Sequence, residues 1–398
     1  MIPKIREQFN SGFRQEYYDN LQNYIVEELG EKCAFRISET PVFIDKALKA
    51  KVMEASKSIL DQIWKLDLEA IRDKFIPEHL QSTSPLAKPH FLAIDFGLCE
   101  DDEGGISPQL IELQAFPSLM YYQSFLGKAF LKNYPNLNKE GFHYFLGGLN
   151  EKTYNEKVKA LIMGKERPEN VILMELFPEQ QKTRIDFWAT KKELGIDVVC
   201  ITKIIKEGRK LFYEKEGVKI PIHRIYNRVI YDDMQRLEGI NTQFNLFDEV
   251  DVEWVTHPDW FYMISKCIIP LLKHPYIPQS YYLNDIPSDV DFSRFVLKPL
   301  FSFAGKGIDL NPSHKSIEEI ADKENYLLQS KVNYVPCIKT NTDKNSKVEL
   351  RILYIWDPEE DKLKPVINLT RMGKGGLINV SHLTGDTWIG SSISFFED

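Results

Sequence analysis

The 398-residue sequence predicts an α/β fold that also carries α+β elements, and three patterns lead to this prediction. Up to about residue 80, apolar and charged residues alternate at helical spacing, which is typical of amphipathic helices. Two apolar runs separated by an acidic, glycine-containing turn follow, and they predict a β-hairpin. From about residue 165, strand patterns alternate with helical ones, which favours an α/β unit with a parallel sheet.

Changes in these patterns divide the chain into four segments. Residues 1–85 are predicted to form a helical N-terminal region of two or three helices, and "ALKAKVMEASKSILDQIWKLDLEAI" shows its pattern most clearly. Residues 86–165 hold the hairpin, with "PHFLAIDFGLC" and "PQLIELQAF" as its strands and "EDDEGG" as the break between them.

The last two segments contain most of the other predicted strands. In residues 166–285, "NVILMEL" and "GIDVVCITKI" predict parallel strands, and "RKLFYEKEGVKIPIHRIYNRVI" predicts a hairpin that leads into another strand. "WFYMISKCIIPLL" then predicts an apolar helix. Residues 286–398 alternate one short helix near "SIEEIADKE" with the strands "RFVLKPL", "YLLQSKV", "VELRILYIWD" and "KPVINLTRM".

Composition narrows the classes of function. The formal net charge of −8 leaves no general basic surface for nucleic acid. No apolar run approaches the ~20 residues that span a membrane, and the start of the chain lacks the apolar segment of a signal peptide. Five scattered cysteines without a CxxC pair favour reduced thiols. We therefore expect a cytoplasmic protein that binds neither nucleic acid nor membranes.

Three oxygen-bearing side chains lie on the two strands of the hairpin: Asp95, Glu112 and Gln114. Residues two apart on a strand point to the same face, so Glu112 and Gln114 can present their oxygens together, with Asp95 beside them. Such oxygens suit Mg²⁺, which combines one or two carboxylates with phosphate oxygens. The alternative is a pair of solvated strand faces.

The stretch "FVLKPLFSFAGKGIDL" places Lys298 at the end of a buried strand and Lys306 in a loop of small residues. Ser302, Gly305 and Gly307 let the backbone approach a ligand closely. Exposed backbone N–H groups beside two ammonium groups suit a phosphate. A hairpin whose turn happens to contain lysine is the alternative.

Other cations recur along the later part of the chain. Lys266 lies within the apolar helix, where a lysine that snorkels to the surface is the usual explanation. Arg224 and Arg228 would share one face of a strand and could meet an anionic substrate, although a salt-bridged strand explains them equally well. Near later strand ends, where arginine can hold carboxylate or phosphate oxygens in a fork, stand Glu349, Arg351, Arg371 and Lys374.

In this order the segments resemble the ATP-grasp superfamily. More narrowly, they resemble the glutathionylspermidine synthase and eukaryotic glutathione synthetase type, in which the metal-binding E-x-N strand comes early. "QLIELQAFPSL" is similar to that strand, and "FLAIDFG" is similar to the one before it, whose aspartate also reaches metal. "HPDWFYMISKCIIPLLKHPYIP" and "FVLKPLFSFAGKGI" resemble the family's segments with the first and second ATP lysines. "YLLQSKV" resembles the hinge strand that meets adenine, and "LTRMGK" resembles the late segment with an arginine. The resemblance covers roughly residues 90–398.

The resemblance implies an ATP-grasp fold, with a pre-ATP-grasp-like domain over 166–285 and nucleotide binding over 286–398. It implies ADP-forming ligation of a carboxylate to an amine, on an amino acid or small peptide, through an acyl phosphate, with ATP and Mg²⁺ as cofactors. The implied residues are Asp95, Glu112, Gln114 and Glu349 for metal; Lys266, Lys298, Ser302, Gly305, Gly307, Gln329, Lys331 and Lys374 for ATP; Arg371, Arg351 and Lys306 for catalysis; and Arg224 and Arg228 for substrate.

Three features depart from the narrower type. Gln114 stands in place of its asparagine, and Ala93 in place of the arginine of R-x-D. The loop lacks the Arg-Glu pair of "GREG", so Glu349 could replace the missing glutamate as a metal ligand. Two alternatives to a ligase remain: a non-catalytic scaffold that binds nucleotide or peptide, and an ATP-dependent kinase on the same fold.

Overall fold

The computed structural model describes residues 2–76, 81, 88–137, 141–230, 234, 239–301, 307–376, 378 and 386–398. Ser302, Gly305 and Lys306, which were predicted to belong to the phosphate-binding loop, lie outside the described residues. Gly307 at its end is described and has a φ of 72°. This left-handed backbone conformation favours glycine.

The helices in the described ranges are α1 (Pro3–Gly12), α2 (Gln15–Leu29), α3 (Lys46–Ile63), α4 (Leu68–Phe75), α5 (Met120–Asn133), α6 (Glu151–Met163), α7 (Arg184–Leu194), α8 (Asp259–Met263) and α9 (His314–Glu318). The strands are β1 (Val42–Ile44), β2 (Phe91–Glu100), β3 (Ile106–Gln114), β4 (Phe142–His143), β5 (Val171–Glu175), β6 (Asp197–Cys200), β7 (Ile205–Glu207), β8 (Lys210–Lys215), β9 (Val218–Ile222), β10 (Arg224–Asn227), β11 (Glu253–Val255), β12 (Ser280–Tyr282), β13 (Phe295–Pro299), β14 (Tyr326–Ser330), β15 (Lys347–Asp357), β16 (Lys362–Gly373), β17 (Gly390–Ser392) and β18 (Ser394–Glu397).

A five-stranded antiparallel sheet in the order β17-β16-β15-β2-β3 forms the centre of the fold. β2 and β3 pair as the predicted hairpin, which is therefore confirmed. β15 pairs with the other edge of β2, so strands far apart in sequence meet in one sheet. Ile94 and Ile352 point to one face of this sheet and share a buried core with Val52 and Ile59 of α3. Burial of that apolar face holds the sheet against the N-terminal helices.

A second sheet has four parallel strands in the order β11-β10-β5-β6. α7 connects β5 to β6, which confirms the predicted strand–helix–strand unit. β8 and β9 form the predicted hairpin before β10, with β7 as a third strand beside them. β13 pairs with β14 in a further small sheet that also contains β12.

The N-terminal region contains four helices in its described part, where two or three were predicted. Two aspartates begin new helices: a side-chain oxygen of Asp45 accepts from the Leu48 amide at 2.8 Å, and one of Asp67 accepts from the Ala70 amide at 3.0 Å. An N-cap of this kind starts a new helix with little change in the apolar periodicity, so periodicity alone predicts too few helices. β1 also intervenes, and it pairs in parallel with β18 at the other end of the chain.

The helix predicted for "WFYMISKCIIPLL" is wrong in its second half. α8 ends at Met263, and Lys266–Leu271 form a 3₁₀-helix instead. The carbonyl of Ile264 accepts a hydrogen bond from the Ala115 amide at 2.9 Å. This long-range bond holds the backbone in an extended conformation just before Lys266, and apolar periodicity cannot report such a contact.

All five cysteine thiols are free. Among the described helices, none combines the length and the apolar character that a membrane crossing requires.

We predict that Asn368 is a major contributor to stability because it joins three parts of the fold. Its side chain is fully buried and donates to the carbonyls of Tyr144 (3.0 Å) and Ser394 (2.9 Å), and it accepts from the Ser394 amide (2.7 Å). Asn368→Ala leaves these backbone groups unsatisfied at ~1–3 kcal/mol each. The free energy of unfolding in urea should therefore fall by about 3 kcal/mol.

The matched control is Asn341→Ala, whose exposed amide also donates to a carbonyl, that of Asn10. This surface change should cost about 0.5 kcal/mol or less. Equal unfolding free energies for the two variants would contradict the role of Asn368.

Candidate functional site

The central sheet carries charged side chains at one end of its second face. Successive residues of a strand point to opposite faces, so Asp95 shares its face with Phe91 and Ala93, and Arg351 shares its face with Leu353. The three apolar residues belong to a core that also contains residues of α2 and α5. We call the charged side chains of this end, together with two lysines that approach them from outside the sheet, the charged cluster; its members are Asp95, Glu112, Lys266, Lys298, Glu349, Arg351 and Arg371.

Asp95 and Arg351 form the centre of the charged cluster. They stand directly opposite each other on β2 and β15. Arg351 Nε lies 2.5 Å from Asp95 Oδ1, and Arg351 Nη2 lies 2.6 Å from Asp95 Oδ2. Arg351 Nη1 also donates to the hydroxyl of Ser118 at 3.0 Å. With exposures of 2% for Asp95 and 7% for Arg351, this is a buried, bidentate ion pair.

Arg371 links Asp95 to a second carboxylate. Its guanidinium donates to Asp95 Oδ2 at 3.2 Å and to Glu349 Oε2 at 3.1 Å. Glu349 also accepts from the Tyr334 hydroxyl at 2.5 Å. Burial raises the pKa of Glu349 despite these partners. A Cβ atom at Gly97 would lie 2.8 Å from the Tyr334 ring, so glycine is required for the ring to reach Glu349.

Two buried lysines approach the charged cluster from outside the central sheet. Lys266 Nζ lies 3.6 Å from Glu112 Oε2. Lys298 Nζ donates to the Ile111 carbonyl at 3.1 Å and to the side-chain oxygen of Gln329. Only 5% of Lys266 and 6% of Lys298 is exposed. β3 therefore presents a carboxylate and a carbonyl to the two ammonium groups.

Burial and neighbouring charges shift the pKa values of two members of the cluster. Burial alone would raise the pKa of Glu112, but Lys266 and the nearby arginines lower it to about 2. Burial lowers the pKa of Lys298 to about 8, and Glu112 only partly offsets this effect. Glu112 is thus ionised at neutral pH, whereas Lys298 loses its proton just above it.

The structure places three of the other predicted residues in different contacts. Lys331, predicted to contact ATP, donates to the Ser293 carbonyl at 2.7 Å. Lys374 pairs with Asp386 at 3.6 Å. Arg224, the first residue of β10, donates to the Ile162 and Leu161 carbonyls, whereas Arg228 lies just after the other end of the strand. None of these contacts involves the charged cluster. Gln114 is half-buried and follows Glu112 on the same face of β3.

Arg228 lies immediately after β10 and forms a second buried ion pair, with Asp186 Oδ2 at 3.0 Å. Its guanidinium carbon lies 5.9 Å from the centre of the Phe116 ring. Phe116 and Ser118 belong to the segment that follows β3, and Ser118 contacts Arg351. This short segment therefore connects Arg228 to the charged cluster.

Three contributing residues were missed by sequence reasoning. Ser118 belongs to a quoted segment, and its position directly after the Glu112 motif was a usable signal. Asp186 is an isolated acid in the otherwise apolar "IDFWA" and gave a weaker signal. No sequence signal marks Tyr334, because its role depends on the space that Gly97 leaves for its ring.

The donor set does not fit the predicted magnesium site. Both oxygens of Asp95 accept from Arg351, and one also accepts from Arg371. Glu112 and Glu349 each face cations as well. Within the described ranges, no group of three or more His, Cys, Asp or Glu side chains could hold a metal ion.

No family model and no curated protein matches this sequence. Among solved structures, the chain is similar to a glutathione synthetase-like effector from Globodera pallida in its apo form. The TM-score is 0.59 at 11% sequence identity, and the match covers 100% of this chain and 98% of that chain. At this identity the likeness shows the fold alone. The chain therefore has a glutathione synthetase-like fold of the α/β class.

We predict that Lys298 makes stability depend on pH. Its pKa is about 8 in the folded protein and about 10.4 when unfolded. Between these values the unfolded state binds more protons, so stability rises with pH. Relative to Lys298→Met, the wild-type free energy of unfolding should increase by about 2 kcal/mol from pH 7 to pH 10, measured in urea. A difference that stays constant with pH would contradict the lowered pKa.

Proposed function

We propose that the charged cluster binds the phosphates of ATP and that the chain is an ADP-forming carboxylate–amine ligase. The observation that carries this proposal is the pair of buried ammonium groups of Lys266 and Lys298, which contact Glu112 and the Ile111 carbonyl of β3. Buried charges persist where they are paired or where a ligand needs them. The glutathione synthetase-like fold supports a ligase in particular.

The net charge of the cluster suits a polyanion. Its four cations exceed its three carboxylates by one positive charge, and this excess lies in a poorly solvated site. A phosphate chain would supply the missing negative charge, and low local dielectric strengthens that attraction. Gln329 fits the same picture, because its side-chain oxygen orients Lys298 while its buried Nε2 has no hydrogen-bond partner.

The reaction that we propose has two steps. A carboxylate oxygen of the substrate attacks the γ-phosphorus of ATP, the bond to ADP breaks, and an acyl phosphate forms. An amine nitrogen then attacks the acyl carbon, inorganic phosphate leaves, and the amine loses a proton. The chain contributes by positioning these groups and by neutralising their charge.

Arg228 is the residue that we assign to the substrate carboxylate. Its buried Nε atom makes no hydrogen bond of standard geometry, although the Tyr226 hydroxyl lies beside the guanidinium, and Asp186 holds the other end. The segment of Phe116 and Ser118 brings it near the charged cluster. A carboxylate that accepts from Arg228 would therefore lie on the side of the cluster where Arg351 meets Ser118.

A non-catalytic nucleotide-binding scaffold is the second candidate function. The observation that favours it is that two arginines donate to Asp95. The resemblance to ATP-grasp ligases implies that this aspartate would hold the catalytic metal. Such a scaffold would bind ATP without forming ADP.

We predict that hydroxylamine traps the acyl phosphate. The protein is incubated with ATP, MgCl₂ and a panel of amino acids and small peptides, with hydroxylamine in place of the amine. A ligase should form hydroxamate in step with ADP, because hydroxylamine attacks activated acyl groups. Tight ATP binding with neither product across the panel would remove the ligase and leave the scaffold. ADP without hydroxamate would instead indicate phosphoryl transfer to a hydroxyl.

We predict that Lys266→Ala weakens ATP binding, since the variant removes a buried cation of the cluster. The loss should be about 1–3 kcal/mol, the usual scale for a hydrogen bond to a charged group. Isothermal titration calorimetry measures it. Lys331→Ala is the matched control, because Lys331 instead donates to Ser293 and Asn311. Equal losses in both variants would place the phosphates elsewhere.

A further inference from the structure

We propose that the Arg351 guanidinium takes the place of a divalent cation, so that this chain binds ATP without magnesium. The inference rests on the proposed function, because it concerns how the same site neutralises phosphate. It rests on the contacts of three carboxylates and on the position of one arginine.

Asp95 is the carboxylate at the centre of the predicted metal set, and two arginines already hold it. Arg351 donates to both of its oxygens, at 2.5 and 2.6 Å, and Arg371 donates to one of them at 3.2 Å. Together these contacts use three of the roughly four lone-pair directions of the carboxylate, including the two that a bidentate metal would use. Asp95 is therefore an anchor for two guanidinium groups, and it is not available as a metal ligand.

Arg351 is held beside Asp95 by several contacts. Arg351 is the direct cross-strand neighbour of Asp95, and its third nitrogen is held by Ser118. Both partners are buried. Removing one member of such a pair leaves an uncompensated charge in a poorly solvated place, which is strongly unfavourable. The geometry thus keeps the guanidinium where it is.

The other two carboxylates of the charged cluster, Glu349 and Glu112, also face cations. Glu349 accepts from Arg371 and Tyr334, and Glu112 lies 3.6 Å from Lys266 and 3.5 Å from Arg351. Each is already compensated, and the cluster as a whole carries one excess positive charge. A divalent cation would add charge of the same sign, whereas a phosphate would remove it. Arg351 donates from Nε and Nη2 to Asp95 and from Nη1 to Ser118, so its weakly hydrated positive charge, and not a second fork, would attract the phosphate.

The test compares ATP binding to the wild-type chain in EDTA and in MgCl₂ by isothermal titration calorimetry. We expect dissociation constants that agree within about threefold. We also expect that Mn²⁺ alone, followed by electron paramagnetic resonance, does not bind the nucleotide-free protein at micromolar concentration. ATP affinity at least about tenfold higher in MgCl₂, or a tight Mn²⁺ site, would overturn the inference and leave the proposed function standing. Absence of ATP binding in both buffers would end both.

A variant without the Arg351 guanidinium tests the same inference. Arg351→Met leaves Asp95 with only its contact to Arg371, so ATP binding should weaken about tenfold in EDTA and recover at least partly in MgCl₂. Arg209→Ala is the control, because Arg209 is an exposed arginine that also pairs with two acids, Glu249 and Asp251. It should bind ATP as the wild type does. Wild-type affinity of Arg351→Met in EDTA would overturn the inference, and if this variant does not fold, the wild-type comparison decides alone.

Discussion

The buried pair between Asp95 and Arg351 is the interaction on which the candidate site depends. The two residues are 256 positions apart in sequence and adjacent in the central sheet. Asp95 holds Arg351 and Arg371 in place, and Arg371 in turn holds Glu349. Without Asp95, two guanidinium groups would lie in a poorly solvated region with fewer acceptors. The pair therefore determines where these two guanidinium groups point and how much positive charge of the cluster is left uncompensated.

The fold supports this pair by bringing both ends of the chain to one place. β1 pairs with β18, and Asn368 connects β16 to the segments on either side of it. The apolar face of the central sheet packs on α3, and burial of that apolar surface stabilises the fold. The charged end of the other face therefore does not have to hold the structure together by itself.

The same geometry separates the charged cluster from a standard oxygen-ligand metal site. Carboxylates that face guanidinium groups are satisfied by hydrogen bonds of fixed direction. Metal ligands must instead leave lone pairs pointing at a common centre. Arg351 stands directly opposite Asp95 on the neighbouring strand and donates to both of its oxygens. The fold is similar to that of a glutathione synthetase-like protein.

Local patterns in the sequence were sufficient for the β2–β3 hairpin, the strand–helix–strand unit and the strands that carry Lys298, Glu349 and Arg371. Period-two alternation and turn residues act over a few positions, so one segment can reveal them. They were insufficient for the end of α8, because a hydrogen bond to Ala115 decides it.

The partners of the charged residues also depended on tertiary structure. Asp95 was predicted as a metal ligand from its strand and its resemblance, but its environment comes from β15 and β16, hundreds of residues later. Lys331 and Lys374 were predicted to contact ATP together with Lys266 and Lys298, yet only the second pair lies in the charged cluster. A charge type and its strand are local properties of a sequence, whereas the group that neutralises it is set by which distant strands become neighbours.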